Sequence, residues 1–457
     1  MRNISAMSEE KSQVKIKFIT KEDESLAVSE APLYVPISLK RYGLSEVVNH
    51  LLANDSESEN PIPFDFLIDG KLLRTSLEDY LTKNALSSET FLTLEYTRAV
   101  LPPSYLASFN NNDWISSLDT INFSGKSKIL SGAYDGVVRI YNMSGVIEKQ
   151  FTGHSGSIRA VQWVSPTRVV SCGNDRQIRL WKNKEAGEID DKADDEDPEE
   201  GTTIAILEGH KGPVVSLAVD SKINRILSAG YDGEVGFWST NHKEMDKIQP
   251  LDYDANVLSS SSKKRRKMAV QDSTLRRRSP LSMLQSHKQP VEGITFDLTD
   301  STVAYSVSQD HTIKTWDLVT SRCIDTRATG FSLLSVLHLP TKSLLVTGSS
   351  ARHINLHDPR VKENDTELSV SKLVGHTNFV VGLSGCPYND NMFASASHDG
   401  LVKVWDVRSV DPLYTITRNE PNSNSKIFDV RWDNEIGIIS GGSDKKLQIN
   451  KGSNLMK

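Results

Sequence analysis

The residue types of a nucleophilic triad stand close together in the stretch SASHDGLVKVWD, residues 395–406. Ser395, His398 and Asp399 lie within five positions. A serine activated by a histidine, which an aspartate orients, is the arrangement of serine hydrolases. The rest of the chain bears on this hypothesis, because a residue that serves the fold of a repeat recurs from copy to copy, whereas a catalytic residue need not.

The same phrase recurs along the chain. Each copy reads as a strand, a tight turn and a second strand, in which small residues precede the turn and alternating β-forming residues follow it. Seven copies align on the turn aspartate: ILSGAYDGVVRIYN (129–142), VVSCGNDRQIRLWK (169–182), ILSAGYDGEVGFWS (226–239), AYSVSQDHTIKTWD (304–317), LVTGSSARHINLHD (345–358), FASASHDGLVKVWD (393–406) and IISGGSDKKLQINK (438–451). Gly-His pairs precede several copies, at Gly153-His154, Gly209-His210 and Gly375-His376, and Ser286-His287 is a weakened version. Internal repetition of this kind indicates a repeat architecture.

These repeats resemble the WD-repeat family, whose members fold as β-propellers with four strands per blade. Seven copies imply an all-β seven-bladed propeller. In that family a histidine, a turn aspartate, a serine or threonine and a tryptophan form a buried hydrogen-bond network within a blade. The resemblance assigns the network to His154, Ser171, Asp175 and Trp181 in blade two, to His210, Ser228, Asp232 and Trp238 in blade three, and to His376, Ser395, Asp399 and Trp405 in blade six. Ser395 and Asp399 then satisfy buried polar groups, and we expect no catalytic residue.

Three blades depart from the repeat. Blade five has Ala351 at the turn aspartate and His357 at the tryptophan, and no Gly-His pair precedes it, so its network should be absent. Blades one and seven have Tyr141 and Asn450 at the tryptophan position. The chain stops after the third strand of the last repeat. We therefore expect SYLASF (104–109) to supply the fourth strand and close the ring.

Composition argues against several classes of protein. The 53 basic and 59 acidic residues give a net charge of −6, too mild for a chain that binds nucleic acid along its whole surface. The cysteines, Cys172, Cys323 and Cys386, form no CxxC pair, so neither a disulfide framework nor a cysteine zinc site is expected. The N-terminus lacks an apolar secretory segment, and no run approaches the ~18 apolar residues of a membrane helix. We expect a soluble intracellular protein.

Two insertions of opposite charge interrupt the repeats. An acidic loop, residues 183–202, contains KEAGEIDDKADDEDPEEG, and a basic loop, residues 240–280, contains SSSSKKRRKMAVQDSTLRRRSP. Both fall between the third and fourth strands of successive blades, which predicts that they emerge on the same propeller face. Each can be a solvated disordered loop. For the basic loop we favour nuclear targeting over an RNA-contacting arm, carried by Lys263, Lys264, Arg265, Arg266, Lys267, Arg276, Arg277 and Arg278.

Residues 12–98 take no part in the repeat. Their pattern predicts a strand at VKIKF (14–18), a helix at GLSEVVNHLL (43–52) with Ser45 as its N-cap, a strand, Asp-Gly turn and strand at FDFLIDGKLL (64–73), a short helix at SLEDYLTKN (76–84) and a strand at TFLTLEYT (90–97). This order resembles an α+β ubiquitin-like β-grasp domain. We place it after a disordered segment, 1–11, and before a tether, 99–103, that leads to a propeller over residues 104–457.

Longer sequence segments resemble one group within the WD-repeat proteins. PISLKRYGLSEVVNHLL, PFDFLIDGKLLRTSLEDYL and LSSETFLTLEYTRAVLPPSYLASF resemble the NLE-type ubiquitin-like domain that heads one group of WD-repeat proteins. SVSQDHTIKTWDLVTSRCIDTR (306–327) and SSARHINLHDPR (349–360) resemble that group's propeller. The group comprises the eukaryotic ribosome-biogenesis proteins that join pescadillo and block-of-proliferation in a nucleolar complex, called PeBoW or Nop-seven. The resemblance covers nearly the whole chain.

The resemblance implies a function and one partner-binding residue. Members are non-enzymatic assembly factors of the large ribosomal subunit, whose propeller scaffolds the complex on pre-ribosomes. Midasin, a giant AAA-type ATPase, grips their ubiquitin-like domain through a Mg²⁺ that lacks one ligand, and an acidic residue of the assembly factor completes the octahedron. That residue lies in the loop before the last strand, which is LSSET here, so the resemblance assigns the role to Glu89. It implies no cofactor and no metal site of the chain's own, because the partner ATPase supplies the Mg²⁺.

Location and partners follow from the same resemblance. We expect the nucleolus and nucleoplasm as the location, and the rim or faces of the propeller as the docking surface for block-of-proliferation. One alternative is a substrate receptor of a cullin-RING ubiquitin ligase, because Trp405-Asp406-Val407-Arg408 fits the short WDxR word of such receptors. Direct RNA contact through residues 263–278 is a third interpretation.

Overall fold

The computed structural model describes residues 12–22, 24–53, 61–87, 89–183, 199–248, 275–361, 371–419 and 425–452. The chain divides into two compact units, Met1–Leu101 and Pro102–Lys457, and each is described by itself. The N-terminal segment 1–11, which was expected to be disordered, lies outside the described residues. No helix in the described ranges is long and apolar enough to cross a membrane.

The first unit is a mixed five-stranded sheet that packs on a helix. Its elements are β1 (Gln13–Ile19), a 3-10 turn (Glu24–Leu26), β2 (Leu33–Pro36), α1 (Arg41–Ala53), β3 (Phe64–Ile68), β4 (Lys71–Leu72), α2 (Leu77–Lys83) and β5 (Phe91–Arg98). The strand order is β2-β1-β5-β3-β4, and the central strand, β5, is parallel to β1. The predicted α+β β-grasp arrangement is confirmed.

Aromatic residues at alternating strand positions build the core of this unit. Phe18, Phe64 and Phe66 surround Tyr96, with ring centroids 5.4 to 6.5 Å from it. The Tyr96 hydroxyl donates a hydrogen bond of 2.6 Å to the Leu26 carbonyl and accepts one from the Val28 N–H. The buried tyrosine therefore ties the loop after β1 to the sheet, because its hydroxyl must find partners inside the protein.

The expected N-cap of the first helix is wrong. Helix α1 begins at Arg41, so Ser45 lies inside it. The Ser45 hydroxyl donates to the Ile62 carbonyl at 3.2 Å and accepts from the Phe64 N–H at 3.1 Å, so it joins the helix to the start of β3. A true cap is made by Ser76, whose hydroxyl accepts the Asp79 N–H at the start of α2.

The second unit is a ring of seven blades. From the innermost strand outward, the blades are β7 (Ile115–Phe123), β8 (Lys126–Ala133), β9 (Val137–Tyr141), β10 (Ile147–Thr152); β11 (Ile158–Ser165), β12 (Arg168–Gly173), β13 (Ile178–Lys182), β15 (Thr202–Leu207); β16 (Val214–Asp220), β17 (Arg225–Gly230), β18 (Glu234–Ser239), β20 (Ser282–Gln285); β21 (Val291–Phe296), β22 (Val303–Ser308), β23 (Thr312–Asp317), β24 (Arg322–Ala328); β25 (Leu333–Leu339), β26 (Leu344–Ser349), β27 (His353–His357), β28 (Ser371–Val374); β29 (Val380–Gly385), β30 (Met392–Ser397), β31 (Val402–Asp406), β32 (Tyr414–Ile416); and β33 (Ile427–Asp433), β34 (Gly437–Gly442), β35 (Lys446–Lys451), β6 (Ser104–Asn110). Each innermost strand contacts the next, and β33 contacts β7, which closes the circle. The predicted seven-bladed propeller is confirmed.

The ring is closed by the segment that precedes the first repeat. Strand β6 pairs antiparallel with β35, with Phe109 opposite Leu447 and Ala107 opposite Ile449. The Phe109 ring stacks on Tyr141 of blade one at a centroid distance of 6.2 Å. The prediction that SYLASF supplies the missing strand is confirmed, and the exposed edge that β35 would otherwise present is covered.

Both insertions leave between the third and fourth strands of their blades, as predicted. Just before each insertion rejoins its blade, it adds a short strand to the blade before: β14 (Glu199–Glu200) runs parallel to β10, and β19 (Arg277–Arg278) runs parallel to β15. Blades one and two thereby have five strands. The ends of both insertions, within the ranges 183–202 and 240–280 given to the acidic and basic loops, are thus paired on the propeller.

The nuclear-targeting residues fall into two sets. Lys263, Lys264, Arg265, Arg266 and Lys267 lie outside the described residues. Arg276, Arg277 and Arg278 belong to the propeller edge, where Arg277 and Arg278 are only 8% and 7% exposed. Arg277 pairs with Glu208 at 3.2 Å, Arg278 donates to the His242 carbonyl at 2.6 Å, and Arg276 lies 3.0 Å from the His242 ring. The prediction is wrong for Arg277 and Arg278, because an import signal must be exposed and these side chains instead hold β19 on blade two.

Candidate functional site

Hydrogen bonds join the predicted residues within blades two, three and six. In blade two, His154 lies 2.7 Å from Asp175 through Nδ1 and 2.7 Å from the Ser171 hydroxyl through Nε2, and the Trp181 N–H donates to that hydroxyl at 2.7 Å. His210, Ser228, Asp232 and Trp238 repeat this geometry, as do His376, Ser395, Asp399 and Trp405. Each network fastens the loop that precedes the innermost strand to the second and third strands of the blade.

Blade four contains a fourth network, which the sequence analysis did not predict. His287 lies 2.9 Å from Asp310 and 2.7 Å from Ser306, and the Trp316 N–H donates to Ser306 at 2.8 Å. The Gly-His pair that precedes other repeats is replaced here by Ser286-His287, so the sequence matched the repeat less well at this point. The spacing from histidine to aspartate, 23 residues as in blade six, was the signal that could have identified it.

Blades five and seven replace the missing residues with different ones. In blade five His357 occupies the tryptophan position, and its Nε2 lies 3.0 Å from the Thr347 hydroxyl. Blade five was expected to have no network, and that expectation is wrong for the contact between His357 and Thr347. In blade seven the Arg418 guanidinium takes the place of the histidine, at 3.1 Å from both the Ser440 hydroxyl and Asp444. In these two blades the buried hydroxyls of Thr347 and Ser440 keep a partner, as buried polar groups require.

The triad hypothesis fails on geometry. Ser395 is fully buried, and its hydroxyl is engaged by His376 and Trp405 rather than by His398. Burial alone would raise the pKa of Asp399, but hydrogen bonds from His376 and the Thr377 N–H lower it to about 2. His398 instead packs against Phe428, with ring centroids 5.6 Å apart. A nucleophile that no substrate can reach and an aspartate that serves another histidine cannot act as a catalytic unit.

The WDxR motif, residues 405–408, also has a structural role. Trp405 is fully buried and Asp406 is 2% exposed. The Arg408 guanidinium donates to the Asp406 carboxylate at 2.8 and 2.9 Å. Because all three side chains have partners in blade six, the ligase-receptor alternative depends on the sequence word alone.

Glu89 lies in the turn that leads into β5 of the ubiquitin-like unit. Its side chain is exposed. The Glu89 N–H donates to the Ser87 hydroxyl at 3.2 Å, and the Thr90 N–H donates to the Ser87 carbonyl at 3.1 Å. Ser87 thus holds the backbone N–H groups of Glu89 and Thr90, and the Glu89 side chain is exposed. An exposed carboxylate on a held turn is what binding to a metal on another molecule needs, since Mg²⁺ prefers hard oxygen ligands.

The central channel of the propeller is polar where blades seven and one meet. Its volume is about 890 Å³. Asp429 accepts the Leu118 N–H at 2.7 Å, and Arg431 pairs with Asp119 at 2.8 Å. Burial raises the pKa of Asp429 to about 6. These contacts link the last blade to the first.

Neither the cysteines nor the acidic residues suggest a metal site. Within the described ranges, no group of three or more His, Cys, Asp or Glu side chains could hold a metal ion. Cys172 and Cys386 are buried, and burial raises the pKa of both thiols, that of Cys386 to about 11. These two thiols are therefore protonated at neutral pH and unreactive.

Comparison with protein families identifies both units. Residues 14–81 match the model of the NLE (NUC135) domain, a range that ends before the Glu89 turn. Five segments match the model of the WD domain, G-beta repeat: 103–142, 145–182, 201–239, 278–317 and 368–406. These segments correspond to blades one to four and blade six. The first includes β6, the strand that closes the ring.

Whole proteins match along their full length. The "Ribosome biogenesis protein YTM1" of Scheffersomyces stipitis is 70% identical over 469 aligned residues, which cover 99% of this chain and all of that protein. The proteins of the same name from Candida albicans and Debaryomyces hansenii are each 68% identical, with the same coverage. The alignments cover both units and both insertions.

Proposed function

This chain belongs to the YTM1 family of ribosome biogenesis proteins, and on that premise we propose that it is a non-enzymatic assembly factor of the large ribosomal subunit. The observation that carries the proposal is the 68 to 70% identity to relatives of that name over 99% of the chain. In the proposed function the propeller scaffolds a complex with block-of-proliferation and pescadillo on pre-ribosomes. A midasin-type AAA ATPase then removes the factor by pulling on its ubiquitin-like unit.

The ubiquitin-like unit contributes one ligand to the ATPase. In this proposal the Glu89 carboxylate completes the coordination of a Mg²⁺ that the partner's adhesion site holds. Its exposure and its position on a backbone-fixed turn support the role. The chain needs no cofactor of its own for this. Octahedral Mg²⁺ at about 2.1 Å tolerates little displacement of a ligand, so the length of the glutamate side chain matters as well as its charge.

Location follows from the assembly role. We place the protein in the nucleolus and nucleoplasm, where large-subunit precursors are assembled. Lys263 to Lys267 remain the proposed import signal, without Arg277 and Arg278, which are buried on blade two. Direct RNA contact by the basic loop remains a separate proposal, and salt-sensitive RNA binding would test it.

The Glu89 proposal predicts a metal-dependent pull-down. The full chain, immobilised, should retain the purified adhesion-site domain of a midasin-type ATPase in Mg²⁺ and lose it in EDTA. Glu89→Asp should lower retention about tenfold or more, because the carboxylate is retracted by one C–C bond from an ion that requires near-ideal geometry. Glu89→Gln tests charge at constant length and should also bind weakly.

A matched control separates the metal contact from general acidity. Glu78 is exposed on α2 of the same unit, so Glu78→Asp makes the same chemical change away from the turn and should bind like the wild type. Equal retention by wild type and Glu89→Asp, or retention in EDTA, would remove Glu89 as the metal ligand.

A further inference from the structure

A cluster of basic side chains lies where the outer edge of blade two meets blade three. Three segments of the chain supply it. Arg168 begins β12 of blade two, His242 and Lys243 follow β18 of blade three, and Arg276 and Arg278 come from the end of the basic insertion, beside and within β19. We call these five residues the rim cluster. Of the described residues that line the central channel, none belongs to the rim cluster, so this site lies away from the channel.

Hydrogen bonds to backbone carbonyls and to one histidine hold the guanidinium groups of the rim cluster. Arg278 Nε donates to the His242 carbonyl at 2.6 Å, and Arg276 Nη1 lies 3.0 Å from the ring nitrogen Nε2 of His242. Arg168 Nη1 donates to the Thr240 carbonyl at 3.2 Å. An arginine has five N–H donors and no acceptor. The exposed Arg276 and the half-buried Arg168 therefore keep donors for a further partner.

The neighbouring arginines, in contrast, have carboxylate partners. Arg277 pairs with Glu208 at 3.2 Å, and Arg225 pairs with Glu244 at 3.0 Å. In the part of the chain that the structure describes, the contacts of the rim cluster reach carbonyls and an imidazole, and no carboxylate pairs with its cations. Positive charge is therefore neutralised beside the rim cluster and left uncompensated within it.

His242 reports the positive field of the rim cluster. Its pKa is lowered first by burial and then by four nearby cations, in the order Arg276, Arg278, Lys243 and Arg168. A neutral imidazole has a nitrogen lone pair that can accept the Arg276 donor, whereas a protonated imidazole has none. The four cations repel one another, and a bound anion would relieve that repulsion.

We propose that the rim cluster binds phosphate groups of an RNA backbone. Arg276 and Lys243, which are exposed, contact the phosphates, whereas the buried Arg278 holds the His242 carbonyl. Guanidinium groups suit this ligand because their forked N–H donors match the oxygens of a phosphate. The inference rests on the proposed function, which puts the chain on pre-ribosomal particles, and it adds an RNA contact on the rim of the propeller.

The arrangement of cations favours an RNA backbone over an acidic protein segment. The run KKRRK, residues 263–267, precedes Arg276 in the same insertion, so basic residues recur along the chain up to the rim. Several cations in series match the repeated charges of a phosphate backbone, and the counterions that they release supply the affinity. Contacts of this kind carry no sequence information, so we expect binding that depends strongly on salt and little on RNA sequence.

The test measures binding of the full chain to labelled oligouridylate by fluorescence anisotropy over a series of salt concentrations. The double variant Lys243→Gln/Arg276→Gln should weaken the affinity about tenfold and reduce the slope of log affinity against log salt by about one to two, because each lost phosphate contact releases about one counterion fewer. The matched control is Arg322→Gln/Lys342→Gln, which removes two exposed cations from blades four and five. It should bind like the wild type. Thermal melting should be unchanged in both variants, because all four side chains are exposed.

A further variant separates the rim from the loop. Replacement of all five residues of 263–267 by glutamine removes the cations of that run and leaves the rim cluster in place. The binding that this variant retains should fall again when Lys243→Gln/Arg276→Gln is added. If the added changes have no effect, the loop alone binds RNA and the inference is overturned.

The outcomes distinguish the inference from the proposed function. Cosedimentation of the wild type with purified large-subunit precursors tests the proposed function by itself. If the wild type cosediments but Lys243→Gln/Arg276→Gln binds RNA as well as the wild type does, or no less well than the matched control, the rim cluster is not an RNA site. A photo-crosslinker at Lys243, in the full chain on these precursors, then identifies the ligand. A crosslink to RNA supports the inference, and a crosslink to protein alone, or none, overturns it.

Discussion

At the scale of the residue, serine, histidine and aspartate serve stability here because of where their partners come from. Ser395 and Asp399 lie four positions apart, but the histidine that joins them is His376, from the loop before the blade. The network is buried, and the Asp399 carboxylate also accepts the Thr377 and Leu401 N–H groups. A buried carboxylate with this many donors is held ionised, which links blade stability to pH.

Acid should weaken the blades in a defined window. The pKa of Asp399 falls from an ordinary value near 3.8 to about 2 on folding, so the unfolded chain binds more protons between these values. The stabilisation is fully present above pH 4 and is lost as the pH falls through about 2. It amounts to about 2 kcal/mol for this group. Asp399→Asn should be less stable than the wild type at pH 7 and should lose less stability between pH 5 and pH 3 in urea unfolding.

Asp411→Asn is the control for this prediction. Asp411 is an exposed carboxylate of the same blade, so its replacement should leave the dependence of the unfolding free energy on pH as it is in the wild type. If Asp399→Asn followed the wild-type curve, the hydrogen bonds to Asp399 would contribute nothing that depends on its charge.

At the scale of the element, closure of the ring depends on one strand contributed from the N-terminal side. Strand β6 pairs with β35, and Phe109 packs on the cluster that joins blades seven and one. Without β6, the edge of β35 would carry unpaired N–H and carbonyl groups. The short parallel strands β14 and β19 cover the outer edges of blades one and two in the same sense.

Phe109→Ala should open the closure. Loss of a partly buried phenylalanine that stacks on Tyr141 should lower the free energy of unfolding by about 2 kcal/mol, below the range for a fully buried one. It should also speed proteolysis of the last blade. Leu106→Ala, on the same strand but 53% exposed, should change neither. The measurements are thermal melting and limited trypsin digestion of the full chain. Equal digestion of both variants would show that closure does not depend on this ring.

At the scale of the whole molecule, the ubiquitin-like unit leads directly into the closing strand. Only residues 99–103 separate β5 from β6. In the proposed function, force applied to the first unit therefore enters the propeller at the strand that closes it. This connection makes the length of the segment, including Leu101-Pro102-Pro103, part of the mechanism.

Lengthening this segment should uncouple pulling from release. About 20 Gly-Ser residues inserted after Leu101 can extend by about 70 Å, so the stroke of the ATPase would stretch the linker first. We expect normal binding to pre-ribosomes and to the ATPase, but reduced ATP-dependent release in a sedimentation assay. The same insertion between Ser124 and Gly125, in an exposed hairpin turn of blade one, should leave release unchanged. Wild-type release from the lengthened chain would contradict the mechanism.

Much of the architecture could be predicted because local sequence patterns specify it. Period-two alternation, the turn aspartates and the Asp69-Gly70 turn, with φ of 51° and 76°, depend on neighbouring residues. Strand and turn positions, the count of seven blades and the exit points of both insertions therefore followed from the sequence. Predictions from local pattern were wrong where a side chain forms a hydrogen bond to a residue distant in sequence. Ser45, for example, bonds to β3 instead of capping its own helix.

The sequence by itself determined the family, the propeller and the strand that closes it, since repeats and turns are local and recur. Only the tertiary structure decided which residues meet. It placed Arg418 where blade seven lacks a histidine, and it buried Arg277 and Arg278 on blade two, although the sequence places them in a charged loop. It also brought Trp114 of the first blade to Phe428 of the last. A closed ring joins residues more than 300 positions apart, and no pattern along the chain encodes that contact.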